Sequence, residues 1–103
     1  MYKLNLIPDK VLPVIRCSQF DVNREIKISL FNGEDEYTPL SCYVTIGEIS
    51  IQGTINNNIF TFLLDESLTQ EDTTLLGEVV IGDRLGTCNF MLEVEYTPKG
   101  EEE

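Results

Sequence analysis

The chain has 103 residues, with 7 Lys and Arg against 18 Asp and Glu, a formal charge of −11 and no histidine. That length fills one domain with a single core, and the charge repels phosphate backbones and anionic lipid, so neither nucleic acid nor a membrane surface is expected as a partner. No apolar run nears the roughly 18 residues of a membrane helix.

In chain order, Leu4 to Ile7 form a short apolar run closed by Pro8-Asp9, and the first nine residues lack the apolar region and cleavage site of a secretory signal. Proline cannot donate to a ladder, so an edge strand is expected there, and a second strand over 14–19, where Pro13 suits an edge or the start of a strand. After the turn formers Asp21 and Asn23, Ile26, Ile28 and Leu30 alternate with Lys27, Ser29 and Phe31, which predicts a third strand ending at Asn32-Gly33. The acids Glu34-Asp35-Glu36 are expected in a solvated loop.

Leu40, Cys42, Val44 and Ile46 alternate with Ser41, Tyr43 and Thr45, a fourth strand with one apolar face. Gly47 breaks the parity, so that Ile49 and Ile51 fall out of step, as a bulge or a short turn would produce. The polar stretch 54–58 reads as a hairpin tip, joining the strand at Ile49 and Ile51 to a strand over 59–64. Residues 66–74 hold one strong apolar side chain, Leu68, and are expected to form a loop. A strand over 75–81 turns through 82–86 into the longest alternation, 86–98, where Phe90, Leu92, Val94 and Tyr96 share one face.

Seven or eight short strands with turns every 8–12 residues, and no helix, predict an all-β antiparallel β-sandwich, immunoglobulin-like or jelly-roll-like, over residues 1–98. Residues 99–103 read as an acidic disordered tail or the start of a linker. Cys17, Cys42 and Cys88 lie in separate strand-like runs and are expected to be buried, reduced thiols. Their spacing is not that of a zinc site.

The missing histidine removes Ser-His-Asp and Cys-His chemistry. The remaining carboxylates, among them Asp65, Glu66, Glu71 and Asp72, fall in polar loops, and the acids after Gly33 lack calcium-loop spacing. No enzyme activity and no cofactor or metal are expected. Exposed apolar side chains are a better lead: Phe31, Tyr43 and Met91 fall on the outer parity of their strands, where each is either an interface residue or an ordinary surface or second-contact residue.

The passage Ile15-Arg16-Cys17-Ser18-Gln19-Phe20-Asp21-Val22-Asn23-Arg24-Glu25-Ile26-Lys27-Ile28-Ser29-Leu30, with Gly33 and Tyr37, resembles the N-terminal domain of siphophage baseplate upper proteins. Gln19, Asp21, Arg24, Leu30 and Gly33 carry the likeness. Ile51-Gln52-Gly53-Thr54 with Asn57 and Phe60 resembles the second hairpin of that family, and 77–94 its closing pair of strands. Asn56-Asn57-Asn58 stands where a Pro-Asp-Gly type of turn would be expected. The resemblance implies a phage or prophage virion protein, made in the bacterial cytoplasm, that anchors a fibre or receptor-binding component in the baseplate. Its partners would be other tail or baseplate proteins and further copies of itself, three in the usual assembly. The alternative on the residues is a free-standing module that binds a glycan or another cell-surface ligand.

Overall fold

A computed structural model describes residues 2–7, 11–82 and 87–96. The predicted turn at 83–86 and the tail at 99–103 lie outside them. Ten strands form among the described residues: β1 (Tyr2–Asn5), β2 (Val14–Ser18), β3 (Glu25–Asn32), β4 (Asp35–Glu36), β5 (Cys42–Ile46), β6 (Ile49–Gln52), β7 (Thr54–Asn56), β8 (Ile59–Leu63), β9 (Thr74–Ile81) and β10 (Thr87–Glu95). They make two sheets of five, packed as an all-β sandwich. One runs β1-β3-β8-β7, with β4 added to β3, and the other β2-β10-β9-β5-β6.

Alternation decides what is buried between the sheets. Ile26, Ile28, Leu30, Phe60 and Phe62 project from the first sheet, and Ile15, Val44, Ile46, Val79, Ile81, Phe90, Leu92 and Val94 from the second. Each of these larger side chains contributes roughly 1.5–3 kcal/mol by leaving water. All three cysteines are buried thiols. At Cys17, burial and the nearby Asp21 carboxylate push the thiol pKa up, and only the thiolate is nucleophilic. In native protein at pH 7.5, a thiol reagent such as Ellman's should therefore find no fast-reacting group, whereas unfolded protein should release three equivalents. A fast equivalent in the native state would show that one cysteine is open to solvent.

The sheets are mixed rather than wholly antiparallel, because β1 runs parallel to β3 and β2 parallel to β10. Period-2 patterning reports which face a side chain takes and says nothing of the direction of the neighbouring strand. Of the five changes of sheet along the chain, two join edge strands, first β1 to β2 and then β6 to β7. The crossing from β6 to β7 takes place at Gly53, where a Cβ would fall on the Thr61 carbonyl oxygen.

That crossing corrects the expected hairpin. The segment with Ile49 and Ile51 pairs back onto β5 through a turn at Gly47, whereas β8 takes β7 as its partner. The polar stretch 54–58 is thus mostly strand. Asn57 turns with a positive φ of 56°. Asn58 is buried: its carbonyl accepts the Leu30 N–H at 2.8 Å and its side-chain amide donates to the Leu30 carbonyl at 3.3 Å. It fills the ladder position on β3 between Ile59, the first residue of β8, and Glu36, the last residue of β4.

Three smaller expectations also shift. Leu40 is 85% exposed, since β5 starts at Cys42, where pairing with β9 reaches Ile81 and the chain turns away. Tyr96 is 67% exposed, because pairing of β10 with β2 stops at Glu95 and the alternation carries one residue past its neighbour. Asp35 and Glu36, expected in a loop, are exposed but form a two-residue strand against β3.

The expected loop over 66–74 opens with a 3-10 turn, Glu66–Thr69, which buries Leu68 and Thr69. Asp65 caps it, accepting from the Ser67 N–H at 2.9 Å. The Thr69 hydroxyl donates to the Asp21 carbonyl at 2.8 Å, and the Thr69 carbonyl accepts the Phe20 N–H at 2.7 Å. The turn is therefore a brace for the β2–β3 connection, a role that its apolar content does not reveal.

Candidate protein-contact site

The outer face of the second sheet is built by the parity opposite to the core. On β10 it presents Asn89, Met91, Glu93 and Glu95, on β9 Thr74, Leu76, Glu78 and Val80, on β5 Tyr43 and Thr45, and on β2 Val14, Arg16 and Ser18. Register then sorts these side chains into rows across the strands. Val14, Met91 and Leu76 stand opposite one another on three adjacent strands. Tyr43 stands opposite Val80 in a second apolar row. Between the two runs a polar row of Asn89, Glu78 and Thr45.

Leu76 is 58% exposed, while Val14, Met91, Val80 and Tyr43 are half-buried by their neighbours. Cross-strand apolar neighbours at about 5 Å spacing make a continuous surface rather than scattered side chains. On the flank beside Val14 and Met91, Arg16 lies between two carboxylates, 3.6 Å from Glu93 and 3.7 Å from Glu95. These pairs are exposed and add little stability.

Two of the three predicted interface residues, Tyr43 and Met91, therefore lie on one face, in different rows. Phe31 lies on the other sheet. It is half-buried, with the Lys3 ammonium 5.1 Å from its ring centroid, at a hollow of about 380 Å³ that Asn5, Gly33 and Glu34 also line. The Asn5 side chain fixes that corner: it donates to the Gly33 carbonyl at 2.8 Å and accepts the Gly33 N–H at 2.9 Å. The ammonium over the ring is a cation–π contact within the chain.

Val14, Leu76, Glu78 and Val80 were not among the interface residues expected from the sequence. A signal was present in the doublets Val14-Ile15, Leu75-Leu76 and Val79-Val80. In a strand, two adjacent apolar residues must face opposite ways, so each doublet supplies one side chain to the core and one to the outer surface.

The acidic candidates have other roles. Hydrogen bonds from the Ser67 side chain and backbone N–H hold the Asp65 carboxyl below its ordinary range, as suits a cap. Glu66, Glu71 and Asp72 are exposed around the same turn. Among the described residues, no group of three or more His, Cys, Asp or Glu side chains converges as a metal site.

Gln19 and Asp21 have definable structural work at the β2–β3 connection. The Gln19 side chain donates to the Gln70 carbonyl at 2.7 Å, and Asp21 accepts the Ser18 N–H at 3.0 Å and an Arg24 N–H at 3.4 Å. Comparison with family models, with curated proteins and with solved structures found no match to this chain.

Proposed function

We infer that this chain is a non-enzymatic virion domain of a phage or prophage, which anchors other tail or baseplate proteins through direct contacts. The observation that supports this reading best is the pair of apolar rows, Val14–Met91–Leu76 and Tyr43–Val80, on the outside of a sheet whose inside is fully packed. A rigid sheet that spends apolar side chains on its outer face is suited to covering by another protein. The resemblance to baseplate upper proteins supplies the class of partner and an assembly of three copies.

Light scattering at micromolar concentration, alone and with the proteins encoded beside this chain, tests the reading. The expected result is a mass above that of the 11.7 kDa monomer, and a further increase on adding a tail protein. A strict monomer that binds none of them would overturn it, and specific signal on a glycan array would transfer the reading to a ligand-binding module.

A further inference from the structure

The candidate face carries an acid in the polar row between its two apolar rows. Glu78 lies between Leu76 and Val80 at alternate positions of β9, and the residues opposite it on the neighbouring strands are the neutral Asn89 and Thr45. Among the described residues its carboxylate makes no ion pair. Arg16 is the one cation that the described strand residues give to this face, and it is held by Glu93 and Glu95 on the far side of Met91.

We propose that this face docks a protein surface of opposite chemistry, one that sets a Lys or Arg on Glu78 between apolar side chains that cover Leu76 and Val80. The proposal rests on the protein-contact reading above and adds the character of the partner. Three occupants can be compared on charge. A purely apolar partner would strip water from the Glu78 carboxylate and leave it unpaired, which is among the costliest arrangements at an interface. A second copy placed face to face would set another Glu78 against the first. A basic partner neutralises the carboxylate and is drawn in by the field of a chain with 18 acids and 7 bases.

Spacing adds a second requirement. Alternate residues on one strand are about 7 Å apart, so the partner must repeat apolar, basic, apolar at that pitch. An extended segment does so at every other residue.

The test uses the full chain labelled with nitrogen-15 and a cyclised β-hairpin peptide that displays Leu, Arg and Leu at alternate positions of one strand. Amide shift changes should centre on Leu76, Glu78, Val80 and Met91. A hairpin with Glu in place of Arg should bind at least about tenfold more weakly. Glu78→Lys, an outward-facing substitution, should weaken the Arg hairpin and strengthen the Glu hairpin. Equal binding of the two hairpins overturns the proposal, as do shifts centred elsewhere or no shifts at millimolar peptide. Shifts of the same amides with protein concentration alone would assign the face to a second copy instead. If the hairpins fail while a tail protein still binds, the charge rule falls and the protein-contact reading stands. If the hairpins behave as expected and no tail protein binds, the reverse holds.

Discussion

Phe90→Ala is expected to destabilise the domain by about 3–5 kcal/mol, the range for truncating a buried aromatic. Small domains have only about 5–15 kcal/mol in hand, so most of the folded population is at risk. Phe90 is 0% exposed, on the strand that β2 and β9 flank, and its ring reaches across to Gly77 directly opposite. The residue directly opposite is a glycine, so its side of the ladder offers no side chain to fill the void. Glu93→Ala, three residues away on the other face, should change stability by about 0.5 kcal/mol or less. It removes one exposed partner of Arg16 and leaves the other, Glu95, 3.7 Å away. Urea titration of both variants checks the contrast. Equal midpoints would show that the two faces of β10 had been assigned the wrong way round.

The same contrast shows how far the sequence was legible. Phe90, Leu92 and Val94 could be placed in the core from alternation alone, as could Ile26, Ile28 and Leu30, because period-2 burial is a property of the isolated strand. What could not be read was the choice of neighbour. Ile49 and Ile59 sit in equally good strands on either side of a polar stretch, and nothing local says that β6 belongs to β5 while β7 belongs to β8. Gly53 permits it through a close approach to the Thr61 backbone, a contact that exists only once β7 lies beside β8. The parallel partners of β1 and β2 are long-range choices of the same kind.

The candidate site was half legible for a related reason. Tyr43 and Met91 could be picked out as apolar side chains on the outer parity. The rows they belong to depend on registers between strands that are not neighbours in the chain, such as Met91 opposite Val14 and Tyr43 opposite Val80. Phe31 has the same parity argument in its favour, but it lies on the other sheet under Lys3. Parity selects a face within a strand. It does not say which sheet that face belongs to.

Gly77→Ala tests the packing of the core from the opposite direction. Three effects compete. Replacing glycine in a strand restricts the unfolded chain, which is worth roughly 0.4–1 kcal/mol in favour of alanine, and alanine sits slightly better than glycine in a ladder. Against both, the new Cβ would fall within the Phe90 ring, which stands directly opposite on β10. The ring is fully buried, as are Ile46, opposite Gly77 on the other side, and Val79, the next inward residue of β9. A ring pushed off Gly77 must therefore shift within a filled interior. Overpacking of that kind costs about 1–3 kcal/mol, enough to reverse the backbone gain, so the substitution should be destabilising on balance. The cause is separable by a double-mutant cycle. With Phe90→Leu the ring is gone, and adding Gly77→Ala to that background should cost less than it does alone by about 1 kcal/mol or more. Additive effects, or a Gly77→Ala variant as stable as the parent, would mean that the ring has room to move and that the glycine is there for another reason.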